Sequence, residues 1–336
     1  MRYVGMDVHW RQTTICILDE YGRRVKRLTV RGAWEKVLSE LARIKGPWQV
    51  CFEASTGYGW LYERLKKMAE KVTVAHPGQL RLIFRSKRKN DRADAEKLAK
   101  LLYLDEVPTV YVPSASVRSW RGMIEHRQKL IRERVRVKNQ LRALLRTHGV
   151  VAPKGLWTRR GKGWLRELDF GMEMDALRRD ILLERLEAVG AMIRRVEKAL
   201  ARIAKDHPAM GLLRQIPGVG IRTAEAVVAY VDDPHRFGRV SAAGSYFGLV
   251  PCQDQSAGTN RLGHITRQGP ATVRKLLTEA AWQAIRLSPR VRAYFDRIRQ
   301  DNPERRKIAV VATAHYLLRV MVAMWRTGEV WRGDAA

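Results

Sequence analysis

Four acidic residues carry the strongest chemical signal in this sequence: Asp7 in Val4-Gly5-Met6-Asp7-Val8-His9, Glu53 in Cys51-Phe52-Glu53-Ala54-Ser55, and Asp91 with Asp94 in Lys89-Asn90-Asp91-Arg92-Ala93-Asp94-Ala95. Asp7 and Glu53 each close an apolar stretch with strand character. If those strands are neighbours in one sheet, the two carboxylates converge at one edge, where oxygen ligands hold a hard divalent cation. The i, i+3 spacing of Asp91 and Asp94 puts both on one face of a helix. Four such acids with Mg2+ or Mn2+ build a two-ion site whose metals, roughly 3.5 to 4 Å apart, stabilise the attacking and leaving oxygens of phosphoryl transfer.

Each acid also has a plainer reading. Taken alone, Asp91 is first an N-cap and Asp94 a favourable first-turn acid. Glu53 is harder to dismiss, because an acid ending an apolar strand costs burial energy unless it lies at the sheet edge or is liganded. His9 is read as a structural neighbour, since Mg2+ prefers oxygen.

A second group of candidates lies far downstream. Ser256, in Gln253-Asp254-Gln255-Ser256-Ala257-Gly258, stands ahead of Arg261 and Arg267 in Arg261-Leu262-Gly263-His264-Ile265-Thr266-Arg267-Gln268-Gly269. A serine between arginines is a candidate nucleophile on phosphate, with the cations stabilising developing charge; a serine in a glycine-rich loop is equally an ordinary turn residue. Further upstream, Ile216-Pro217-Gly218-Val219-Gly220 leads through Arg222 into an apolar helical pattern and resembles a helix-hairpin-helix. In such a motif Gly218, Gly220 and Arg222 would hold a DNA phosphate through backbone amides and charge, without reading sequence. The bland alternative is a packing bend.

The elements that must position these residues are legible in outline. Residues 2–9, 12–18 and 24–30 read as three short strands in a meander, 33–44 as helix, 48–53 as a buried strand, 59–70 as helix, 72–75 as strand and 91–103 as helix. That alternation argues for a mixed α/β sheet domain over about residues 1–112. From Ser119 the texture becomes long Arg-rich helix. Met123, Leu130, Val137 and Leu144 recur every seven residues, and Leu182, Leu186, Val189, Ile193, Val196, Leu200 and Ile203 alternate spacings of four and three, a coiled-coil seam. This region, 113–207, fits either an arm for dimerising or spanning DNA, or a helical hairpin packed on its own domain. Residues 208–330 form a third, helical segment punctuated by glycines.

Composition narrows the partner. The 336 residues carry 64 Lys plus Arg against 34 Asp plus Glu, a net charge of +30, and the excess is mostly arginine, whose planar fork suits phosphate. Such a field points to nucleic acid. No apolar run is expected to reach the roughly 18 to 20 residues that span a bilayer, and the N-terminus lacks the features of a secretory signal. Cys16, Cys51 and Cys252 form no CxxC pair. Their odd number fits free thiols in a reducing cytosol, so a soluble, cytoplasmic protein without a membrane partner is expected.

Taken in order, Gly5-Met6-Asp7-Val8-His9, Phe52-Glu53-Ala54, Asn90-Asp91-Arg92-Ala93-Asp94-Ala95 and the stretch from Ile216-Pro217-Gly218-Val219-Gly220 to Arg267-Gln268-Gly269 resemble the DEDD transposases of bacterial insertion sequences, a family that includes pilin-gene invertases and bridge-RNA-guided recombinases. The resemblance covers nearly the whole chain. It implies a RuvC-like, ribonuclease-H-type N-terminal domain with its metal-binding tetrad on Asp7, Glu53, Asp91 and Asp94. It also implies a C-terminal transposase domain whose catalytic serine falls on Ser256. The family's usual Ser-Gly-Gly is here Ser256-Ala257-Gly258, which keeps Ser245 in Gly244-Ser245-Tyr246-Phe247-Gly248 as a competitor. By the same resemblance the partners are donor and target DNA, a homo-oligomer of dimer or tetramer size, and a guide non-coding RNA. The expected function is a transposase or site-specific recombinase that cuts and rejoins DNA through a serine-linked intermediate. Two rivals remain at this stage: a metal-dependent junction resolvase or nuclease, and a non-enzymatic nucleic-acid-binding protein.

Overall fold

The computed structural model describes residues 1–83, 91–256 and 258–333. Lys89, Asn90 and Ala257 lie outside the described residues, as do the side chains of Asp91 and Ser256. The chain divides into two compact units, Met1–Ala115 and Ser116–Ala336.

The first unit is built on strands β1 (Arg2–Val8), β2 (Gln12–Leu18), β3 (Arg24–Arg31), β4 (Trp48–Glu53) and β5 (Lys71–Ala75), with helices α1 (Trp34–Leu41), α2 (Tyr58–Leu65), α3 (Pro77–Ile83) and α4 (Asp91–Tyr103). The sheet order is β3-β2-β1-β4-β5. The first three strands form an antiparallel meander, whereas β4 pairs parallel with both β1 and β5. This mixed sheet is compatible with a RuvC-like domain. Side chains alternate between the two faces of a strand, and the core divides accordingly. Val4 and Met6 of β1 and Val50 and Phe52 of β4 pack with Trp34, Val37 and Leu41 of α1 and Leu61 and Leu65 of α2. On the opposite face Cys51 and Ala75 meet Leu98, Leu101 and Leu102 of α4, while Cys16 and Leu18 meet Ala95 and Ala99. The α3 helix was not part of the expected pattern; its seven residues are too short for a periodic signal.

The second unit opens with α5 (Ala115–Thr147), followed by α6 (Arg159–Glu167) and α7 (Glu173–Lys205). Helices α5 and α7 are each 33 residues long, about 50 Å at 1.5 Å per residue. They run antiparallel, and the predicted seam closes within one chain. Leu130 packs with Val189 and Ile193 midway; Val137, Leu141 and Leu144 pack with Leu182 and Leu186 toward the turn; Trp120 and Ile124 share a core with Leu200 and Ala204 at the other end. Arg127–Glu197 and Arg185–Glu133 ion pairs follow the same register. Ile203, assigned to the seam from its spacing, is instead exposed.

The remaining helices are α8 (Pro208–Leu213), α9 (Ile221–Val231), α10 (Ala242–Tyr246), α11 (Ala271–Leu287), α12 (Pro289–Arg299) and α13 (Arg306–Thr327). They share one core with the base of the α5–α7 hairpin, so residues expected as a separate middle region belong to the same compact unit as the C-terminal helices. Between α10 and α11 a two-stranded hairpin, β6 (Pro251–Ser256) with β7 (Thr259–Ile265), stands in the segment expected to be helical and punctuated by glycines. Its Gln253-Asp254-Gln255-Ser256 run is too polar for the alternation by which strands are recognised. The expectation that no apolar run is long enough to span a bilayer also needs correction. Pro303–Thr327 meets the length and composition test, but Ala309, Val310, Ala314, Leu317, Leu318, Met321 and Val322 are buried in the helical core. Its apolarity is that of a central core helix.

Candidate active site

Parallel pairing of β1 with β4 matches Met6 to Phe52, so the next residues along, Asp7 and Glu53, end adjacent strands at one edge. Both lie on the α4 face, because they are two positions beyond Gly5 and Cys51, which face that helix. The path of α4 follows from its contacts. Tyr103 near its C-terminus meets Tyr3 near the start of β1, with ring centroids 5.2 Å apart, and Ala95 and Ala99 lie over Gly5. The helix therefore runs antiparallel to β1 and brings its first turn, with Asp91 and Asp94, toward the end of β1 that carries Asp7. Gly5 is what allows this approach. A Cβ there would stand 2.2 Å from the Ala95 carbonyl oxygen and 2.3 Å from the Ala99 amide nitrogen, backbone atoms that cannot rotate away.

Asp7 is largely buried, its side chain 17 % exposed, and its Oδ2 lies 3.4 Å from His9 Nε2. Asp94 accepts a hydrogen bond from Lys97 Nζ at 3.2 Å. Lys97 was not among the residues singled out by sequence, although the Asp-x-x-Lys spacing is an i, i+3 helical pair. Among the described residues no three His, Cys, Asp or Glu side chains form a ready metal cluster; the fourth acid of the set, Asp91, has its side chain outside them. In chemistry the donor set still suits a hard cation, because the site offers carboxylate oxygens and no soft ligand. The nearby thiols do not compete: burial pushes Cys51 up to about 12, and burial together with the Glu96 charge raises Cys16 to about 11.

An aromatic cluster around Trp34, on the α1–α2 side of the sheet, was also missed in the sequence. Trp10 stands two residues beyond β1 and is 74 % exposed. It meets Trp34 at 5.3 Å, and Trp34 meets Trp60 of α2 at 5.8 Å. Trp34 Nε1 donates to the His9 carbonyl at 3.1 Å, which pins the loop leaving β1, and the Arg64 guanidinium lies over Trp60. The signal was present as Trp10 shortly after β1 and Trp60 in the first turn of α2, but an isolated tryptophan reads as core.

In the second unit the downstream candidates separate. Gly218, at φ +86°, forms the bend between α8 and α9, and a Cβ there would stand 2.4 Å from the Ala284 amide nitrogen of α11, so packing alone requires this glycine. Gly220 precedes the first residue of α9 and has open space around it. Arg222 pairs with Glu225 at 2.7 Å and donates to the Glu197 carbonyl, which commits it to the interior of the unit. Arg261 on β7 and Arg267 beyond it are exposed. The backbone of Ser256 ends β6 next to the hairpin turn, and Ser245 lies exposed on α10. Arg274 Nη1 is held at the hairpin's root by the carbonyls of Phe247, Gln268 and Gly269; burial lowers the arginine's affinity for its proton.

A sheet edge carrying acids, with an arginine-rich helical unit behind it in the chain, defines a nucleic-acid-processing class, and sequence comparison narrows this further. A DEDD family model of the IS110 type, described as a transposase, matches residues 4–149, and the transposase IS116/IS110/IS902 family model matches residues 210–296. The transposase for insertion sequence element IS1111A of Coxiella burnetii is 26% identical over 298 residues, covering 85% of this chain and 78% of the relative. A probable family 20 transposase of Pseudomonas aeruginosa is 27% identical over 302 residues, covering 87% and 85%. A putative transposase, y4qE, of Sinorhizobium fredii is 29% identical over 246 residues, covering 72% and 59%. The chain belongs to the IS110/IS116 DEDD transposases.

Proposed function

We propose that the protein is a DNA transposase that cuts and rejoins strands at the acidic edge of the first unit, with a serine of the second unit as nucleophile. The observation that carries this reading is the antiparallel path of α4, which points its acidic first turn toward Asp7 and Glu53. Asp7, Glu53, Asp91 and Asp94 would hold Mg2+ or Mn2+, which supplies charge stabilisation for phosphoryl transfer. Lys97, beside Asp94, offsets part of the repulsion among the carboxylates while the site is assembled, and His9 lies beside Asp7. The exposed Trp10 offers a face on which a base can stack.

In this reading Ser256 Oγ bonds to the phosphorus of a DNA phosphodiester as one P–O ester bond breaks. The seryl proton goes to a neighbouring base, and the leaving strand oxygen gains a proton. Attack by a strand hydroxyl on the seryl phosphodiester then rejoins DNA and restores the serine, so no external energy source is needed. Exposed Arg261 and Arg267 near the hairpin would stabilise the charge that develops on phosphate. Gly220 at the start of α9 would present backbone amides to a DNA phosphate, with Gly218 shaping that bend and Arg222 bracing the helix behind it. Donor and target DNA are the substrates, and a guide non-coding RNA and a homo-oligomer in the cytoplasm complete the proposed complex.

The test uses the full chain with labelled donor and target DNA. Asp7→Ala or Glu53→Ala should lower strand transfer by about 100-fold or more, while DNA affinity stays within about threefold because the phosphate contacts remain. A denaturant-resistant protein–DNA adduct should form in the parent and vanish in Ser256→Ala. Full strand transfer by either acid variant overturns the acidic site. Undiminished adduct in Ser256→Ala moves the nucleophile to Ser245, and free ends without adduct favour a water-using nuclease.

A further inference from the structure

A cavity of about 410 Å³ opens in the second unit between the end of α11, one side of α12 and the start of α13. Four arginines, Arg286, Arg292, Arg299 and Arg306, line it against two aspartates, Asp296 and Asp301, so its wall is net cationic. The rest of the lining is apolar, dominated by Trp282 and Phe295, whose rings lie 6.4 Å apart. Trp282 is 37 % exposed and carries the Arg306 guanidinium 5.0 Å from its ring centroid. None of these residues belongs to the acidic edge or to the serine-bearing hairpin.

The charges in the cavity are unevenly used. Arg299 pairs with Asp301 at 2.8 Å and Asp296 at 3.5 Å, which consumes both carboxylates. Its Nε is nevertheless buried and meets no acceptor among the described residues. A buried donor without an acceptor is costly. Arg286 and Arg292 make no side-chain ion pair with the described residues either. The cavity thus combines spare guanidinium groups, an orphaned donor and an indole beside a cation. Packing of the unit does not require that combination, because core helices are satisfied by apolar contact alone.

We propose that this cavity receives a single unstacked nucleotide of a bound nucleic acid. Its base would lie against Trp282, and its phosphate would be held by the exposed Arg286 and Arg292. An aromatic face takes any base by stacking, and the guanidinium fork matches phosphate oxygens in pairs. A paired base in a duplex cannot reach such a cavity without leaving its stack, so the site selects a bulge, flap or strand end. This deepens the nucleic-acid reading above by naming the form of the nucleotide that the second unit takes.

The experiment measures binding of the full chain to a DNA hairpin with a one-nucleotide bulge of 2-aminopurine, against the same hairpin with that base paired. An RNA hairpin of the same design forms a second arm. The bulged hairpin should bind at least about fivefold more tightly, with quenched fluorescence from stacking. Trp282→Ala should abolish both preference and quenching, and Trp282→Phe should keep part of each. Arg292→Ala should weaken binding of the bulged hairpin more than that of the paired one and so shrink the preference. Thermal unfolding of each variant confirms that the fold is retained. Preference in the DNA arm, the RNA arm or both supports the site and identifies its source. Equal binding of bulged and paired hairpins by the parent, or a preference that survives Trp282→Ala, overturns it. Strand transfer by the Asp7 and Glu53 variants is read separately, so failure of the cavity and failure of the transposase reading remain distinct.

Discussion

Glu225 shows how a single residue shapes the second unit. Its carboxylate, 1 % exposed, accepts from Trp120 Nε1 of α5 at 3.1 Å and pairs with Arg222 at 2.7 Å. Arg222 in turn donates to the α7 carbonyl of Glu197, so one buried acid ties the base of the long hairpin to α9. Removing one partner of a buried pair leaves the other without compensation. Glu225→Ala should therefore destabilise the second unit by about 3 kcal/mol, and Glu225→Gln by less, because an amide oxygen still accepts from Trp120. Thermal unfolding of the full chain checks this, and an unchanged midpoint in Glu225→Ala would show that the network carries no stability. The same geometry gives Arg222, whose position after Pro217-Gly218-Val219-Gly220 suggested phosphate, a protein partner three residues on, on the same helix face.

At the scale of elements, the contact of α4 with β1 depends on the missing side chain of Gly5. The neighbours that a Cβ would strike are backbone atoms, so Gly5→Ala can be accommodated only by lifting the helix. It should cost about 1 to 3 kcal/mol as overpacking and, by moving Asp94 away from Asp7, lower strand transfer in a protein whose acids are all intact. Retention of full strand transfer would mean that the helix position does not assemble the site. Much of this unit was legible in the sequence, because β-branched runs, an apolar strand at 48–53 and acids at strand ends report directly on which face is buried. The antiparallel path of α4 was not legible, since helix direction across a sheet is set by the long-range fit of small residues such as Gly5, Ala95 and Ala99. The β6–β7 hairpin escaped for another reason: both of its faces are exposed, so no alternation was required of its sequence. Ser256 was thus singled out by motif and not by the element that carries it.

At the scale of the whole molecule, +30 of net charge makes non-specific binding to nucleic acid a property of the surface as a whole. Neutralising 6 to 10 phosphates would release their counterions and cost roughly 10³- to 10⁵-fold in affinity between 50 and 200 mM salt. Filter binding of a random duplex across that range should show this slope, and a flat response would mean that few of the arginines meet phosphate. The α5–α7 hairpin has a consequence for how such proteins change through descent. Because the two helices pair antiparallel along nearly all of their 33 residues, a turn removed from one leaves apolar residues of the other uncovered. Insertions and deletions here are constrained to come as matched partners, equal in number and mirrored about the connecting segment. The two arms must therefore lengthen or shorten together, like the legs of a folding ladder.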